Sequence, residues 1–249
     1  MDIHKPKPWH GLREFGKELL TIVLGVLIAL AAEAAVEEFR WTQRIDQTED
    51  HLRQRVRGIT VSVAARQALQ PCIDQMFDKL QLALETSGDD WRPPFVIVSG
   101  RLKGVVTAPK GGWSAEEWNA AVADGTVNHL PKTALLAFSN FFGIDANVRR
   151  FNEQEAGDIA ELNSLASIHR LDPATRAQYL RLLYRIRENQ TGIRIQGEVL
   201  MNSARRLGVK PATAASYTPG AMAYYQDVCR QFSAGKTEIV SVMRGSGAR

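Results

Sequence analysis

Apolar and polar positions follow two regimes along the chain. From Leu19 to Ala32 every residue except Thr21 is apolar or glycine, and Glu33 closes the run. A membrane span needs about 20 residues, and extending the run from Phe15 to Val36 gives a helix of about 33 Å. Lys17, Glu18 and Glu33 then lie at its edges, where long side chains reach toward headgroups. Three readings compete: an uncleaved anchor, a signal peptide cut at Ala32-Glu33-Ala34, and a buried core helix. Asp2, Glu14 and Glu18 are foreign to the basic start of a signal peptide, and the helical pattern runs straight through the cleavage site. The anchor is the reading adopted.

Past the span the period becomes that of an amphipathic helix. Ile45, Leu52, Val56, Ile59 and Val63 form one stripe, with Thr48 filling a step and charged residues on the other faces. This predicts a stalk helix to about Gln70, kinked or restarted at Pro71. Leu69, Ile73, Met76, Phe77, Leu80 and Leu84 carry the stripe to the break at Ser87-Gly88. Such a stripe needs cover, from a second copy of the chain or from its own later helices. Residues 89–112 differ in kind, with three prolines and two β-branched runs, and read as a small hairpin or an irregular insert.

Helical signals then resume. Ser114 with Glu117, and Asn152 with Glu155, read as capping boxes. Pro131 opens another helix, and Asp172-Pro173 is an N-cap with proline at the first helical position. A long helix from there ends at Gly208 and Pro211, and a last one spans about Pro219 to Phe232. The expectation is an all-α fold: a transmembrane helix continuing into a stalk, then a helical bundle with one insert. The implied divisions are an arm (1–14), an anchor (15–36), a helical extracytoplasmic domain (37–232, insert 89–112) and a flexible basic tail (233–249).

Charge and composition change this picture little. The chain has 249 residues, 45% hydrophobic, with 31 Lys and Arg against 27 Asp and Glu. That balance, with no recognisable binding module, argues against nucleic acid as a partner. From Met201 onward, however, seven basic residues face two acidic ones, which marks Arg205, Arg206, Lys210, Arg230 and Lys236 as a candidate basic surface for anionic headgroups or an acidic partner. A solubilising surface is the plainer alternative. The positive-inside count does not decide orientation, but a short arm before the span and a long domain after it fit a signal-anchor with the domain in the periplasm. Cys72 and Cys229 would then lie in an oxidising space as a candidate disulfide, two buried thiols being the alternative.

Candidate chemistry is sparse. His4, His10, His51, His129 and His169 have no partner at metal-ligand spacing, and no zinc, phosphate-loop, nucleophile-elbow or dinucleotide motif occurs. No catalytic residue, cofactor or metal is therefore assigned. Glu153, Glu155, Asp158 and Glu161 read as a solvated helix face.

Two blocks carry a resemblance. Arg13-Glu14-Phe15, the run Glu18 to Leu30 (ELLTIVLGVLIAL) and the exit with Glu37, Glu38 and Trp41 resemble the anchor of a group of uncharacterised single-pass bacterial membrane proteins. Trp118, Ala120, Ala121, Gly125, Leu130, Phe138, Phe141 and Phe142 are similar to their second helical block, with phenylalanines where that block has tyrosines. The resemblance implies a single-pass inner-membrane protein with a helical extracytoplasmic domain, and it supplies no activity. Two functions follow as expectations. One is a membrane-anchored binding, scaffold or accessory module, whose partners are the bilayer and a second copy or a membrane complex. The other is an extracytoplasmic enzyme with a site near Trp113, Trp118 and His129.

Overall fold

The computed structural model describes residues 12–242, with side chains from Phe15; the rest of the arm and residues 243–249 of the tail lie outside the described residues. The chain divides into two compact units, Met1–Glu49 and Asp50–Arg249. Helix α1 (Leu12–Thr86) runs through the sequence of both.

In the first unit residues 15–40 are all exposed, among them Leu20, Ile22, Ile28 and Leu30. A core helix of a soluble protein would bury one face, and none of these residues is buried. Thr21 donates its hydroxyl to the Lys17 carbonyl at 2.9 Å, which leaves no unmet donor on the apolar surface. Among the described residues α1 is the one helix long and apolar enough to cross a membrane.

The second unit is helical, with a small sheet at one side. Leu52, Val56, Ile59 and Val63 of α1 are buried, as are Ile73, Met76, Phe77, Leu80 and Leu84. The stripe is covered by the chain's own later helices: a Cβ on Gly197 would lie 3.1 Å from Val63. The missing side chain lets α4 (Pro173–Arg206) approach α1 closely. Helix α2 (Glu116–Ala123) and α3 (Lys132–Leu162) precede α4, and α5 (Pro219–Ser233) follows it. Asp172 caps α4 as expected, its Oδ1 accepting from the amides of Ala174 and Thr175. Pro71 neither ends nor restarts α1, which is helical on both sides of it.

The insert folds as a hairpin, β1 (Val96–Ser99) and β2 (Leu102–Gly104), turning at Gly100 with φ +60°. That positive φ at the first turn position suits a two-residue hairpin loop. A third strand, β3 (Glu238–Val240), pairs parallel to β1, with Ile97 opposite Ile239. The stretch 233–249 is thus not wholly a flexible tail. Phe232 meets Phe95 edge-on at 4.9 Å, which holds α5, and the strand that follows it, to the sheet.

Both capping boxes are corrected. Helix α2 starts after Ala115, and Ser114 Oγ only accepts the Glu116 amide at 3.3 Å. Asn152 lies inside an unbroken α3. In each case the acid that should have returned to the backbone meets an arginine of α1 instead: Glu117 with Arg55 at 2.8 Å, and Glu155 with Arg66.

Asp145 on α3 is buried, and neither carboxylate oxygen has a hydrogen-bond partner among the described residues. Burial pushes its pKa from 3.8 to about 6, against the pull of Arg149 and Arg55. The folded state therefore holds this proton more tightly than the unfolded chain does. Its contribution to stability is complete below about pH 4, falls as the pH rises to about 6, and is level above that. Asp145→Asn is expected to raise stability by about 3 kcal/mol at alkaline pH and by almost nothing near pH 4. Denaturant titrations of both proteins at the two pH values check this; a variant less stable than wild type at the higher pH would mean that the arginines outweigh burial.

Candidate ligand-binding cleft

A buried polar network spans three helices. Arg66 stands on the apolar stripe of α1, between Val63 and Leu69, and Glu155 stands between Val148 and Ile159 on the buried face of α3. Their side chains are 5% and 1% exposed. Arg66 Nη1 donates to Glu155 Oε2 at 2.8 Å and Nη2 donates to Oε1, a two-pronged contact that matches the planar guanidinium to the carboxylate. Gln190 of α4 adds a bond to Glu155 Oε1 at 3.0 Å. On the other side Arg66 Nε donates to Gln70 Oε1 at 3.1 Å, and Gln70 Nε2 donates to Asp74 at 2.8 Å.

The chain between β2 and α2 is pinned beside this network. Asn163 Oδ1 accepts the amides of Val105 and Val106 at 2.8 and 3.0 Å. Tyr225 donates its hydroxyl to the Ala108 carbonyl at 3.2 Å, and burial, by pushing its pKa up to about 12, keeps that proton in place. Asn152 donates Nδ2 to the Pro109 carbonyl at 3.4 Å and accepts the Gly111 amide at 3.3 Å. Gly111 and Gly112 then turn with φ +83° and +88°. Both lie in the left-handed region that only glycine enters cheaply. A Cβ at Gly112 would also sit 1.8 Å from Ser62 Oγ.

That close approach gives a prediction with its own control. Gly111→Ala should cost about 1–2 kcal/mol for its backbone conformation alone. Gly112→Ala should cost more, because Ser62 must also move, and Ser62→Ala, which removes the Oγ but leaves a Cβ 3.0 Å away, should recover most of the excess. Equal costs for the two glycine variants, read by denaturant unfolding, would contradict the packing.

The pinned turn sets Trp113 at the edge of a cleft of about 210 Å³ between α1 and α4. Val63, Arg66, Gln67 and Gln70 line it from α1, and Ile193, Arg194 and Glu198 from α4. The Trp113 indole N–H is buried and has no hydrogen-bond partner among the described residues. No protein-family model, curated protein or solved structure matches the chain. The chemistry of the cleft is thus read from its own residues: an apolar wall, a floor whose arginine is already engaged, and a charged rim. A volume near 210 Å³ holds about seven water molecules, enough for a small solute.

The sequence-derived candidates fall in different places. Cys72 and Cys229 form a disulfide that joins α1 to α5, with Cα atoms 5.8 Å apart. The five basic residues do not form one patch. Arg205, Arg206 and Lys210 lie around the end of α4, where the Leu207 carbonyl accepts from Arg53 and the Ala212 amide donates to Thr60. Arg230 and Lys236 lie at the end of α5, beside Cys229 and its partner Cys72. From Arg53 to Cys72 is about 28 Å along α1. Arg230 also pairs with Asp227, and Arg205 bonds Asn202 at 2.6 Å.

Of the enzyme trio only one residue lines the cleft. Trp113 lines the cleft, whereas Trp118 stacks on Phe142 at 5.3 Å and His129 closes the 3-10 turn after α2. Among the described residues no group of three His, Cys, Asp or Glu is placed to hold a metal. Glu155 is corrected from a solvated to a buried acid, while Asp158 pairs with Arg185 at 2.6 Å.

Proposed function

We propose that this protein is a single-pass membrane protein of the bacterial envelope, whose unit from Asp50 onward is a helical binding module on the extracytoplasmic side. The carrying observation is α1 itself, exposed on every face from Phe15 to Arg40 and apolar enough to span a bilayer. A bare apolar surface of that extent is unstable in water and at home in lipid. The Cys72–Cys229 bridge supports the side of the membrane, since disulfides persist in the periplasm and are rare in the cytosol. The resemblance of the anchor to those of single-pass bacterial proteins fits the same reading. Binding, as scaffold or accessory subunit or through the cleft, is the activity that a folded module with a small lined cavity serves.

Protease added to spheroplasts tests the topology. Protection of a short N-terminal fragment, with loss of the larger unit, is the expected result after carbonate washing of the membranes. Release of the chain by carbonate, or full protection until the spheroplasts are lysed, would contradict it.

A further inference from the structure

We propose that the cleft between α1 and α4 binds a small zwitterion, an α-amino acid with a short apolar side chain. Arg194 and Glu198 stand one helical turn apart on α4, both lining the cleft and both exposed. Neither has an ion-pair or hydrogen-bond partner among the described residues. Residues four apart on a helix can pair, but arginine placed N-terminal to glutamate is the weaker order. Two opposite charges thus remain at the mouth of one cavity, which suits a ligand carrying both signs. Arg66 is the poorer partner for a carboxylate, because its charge is already matched by Glu155 and three of its five N–H donors are taken by Glu155 and Gln70. Arg194 is therefore the anion partner.

Other features set the remaining chemistry. The Glu198 carboxylate suits an ammonium group. Val63, Ile193 and the Trp113 ring offer an apolar surface for a side chain. The volume holds roughly seven to ten heavy atoms, the size of a small amino acid rather than of a whole nucleotide, disaccharide or lipid. The inference rests on reading the module as a binding unit, and its failure would leave the membrane topology untouched.

Calorimetric titration of the full chain in detergent micelles with L-valine tests it. Isovalerate and isobutylamine, each keeping one charge of valine, serve as half-ligands. Valine is expected to bind, and each half-ligand to bind at least about tenfold more weakly. Arg194→Gln and Glu198→Gln change exposed side chains; each should weaken valine by a similar factor while the circular dichroism stays that of wild type. Absence of valine binding below about 20 mM would overturn the proposal. So would a half-ligand that matches valine, or variants that bind as wild type does.

Discussion

Glu155→Ala is expected to lower the unfolding free energy by about 3–5 kcal/mol. The loss comes from Arg66, which stays 5% exposed with no carboxylate opposite it. A buried guanidinium stripped of its counter-charge costs far more than the attraction that the pair contributed. Gln190 loses its acceptor as well. The paired change Arg66→Met with Glu155→Leu removes both charges, and it should recover most of the loss because apolar replacements of buried pairs are often neutral or better. Denaturant unfolding of the two variants measures both steps. Glu155→Ala within about 1 kcal/mol of wild type would mean that water reaches Arg66, and with it that the cleft floor is not preorganised.

Loss of the disulfide has an effect of the same order. Cys72 and Cys229 are 157 residues apart in sequence, and closing so long a loop stabilises by about 5 kcal/mol in the chain-entropy model, with measured gains often smaller. The bridge ties α5, which buries Tyr224, Tyr225, Val228 and Phe232, to α1. Strand β3 follows α5 and pairs with β1, so release of α5 should also loosen the sheet. Cys72→Ser, Cys229→Ser and the double variant should therefore lose the same amount, and reductant should shift only the wild type. A wild-type Tm indifferent to reductant would contradict the bridge.

Much of the fold was legible because its boundaries are written in local chemistry. Asp172-Pro173, Pro131 and Gly208 mark helix ends by fixing φ, donating no amide or entering the left-handed region, and the structure uses each so. Strand β3 was not legible: three residues pair with a strand more than 130 positions earlier, and no local pattern announces that. The capping boxes misled for one reason. A glutamate three residues after Ser or Asn can cap only if nothing better faces it, and Arg55 and Arg66 do.

The cleft was legible in part. Of Trp113, Trp118 and His129, close in sequence, only Trp113 lines the cleft. The Arg66–Glu155 pair does leave a signal in the sequence. Val148, Asn152, Glu155, Ile159 and Leu162 recur at spacings of four, three, four and three, and all are buried. A polar pair inside such a stripe calls for buried partners rather than solvent. Arg66, set between Val63 and Leu69, is its counterpart on α1. Which arginine meets which acid is tertiary information, since 89 residues separate them.

Intact mass of the protein extracted from membranes, alkylated before and after reduction, tests the central claim of a retained anchor carrying a disulfide-closed module. The expected result is a chain that keeps its N-terminal segment, takes no alkyl group before reduction and takes two after it. A chain beginning at Ala35, or one alkylated twice without reductant, would contradict it.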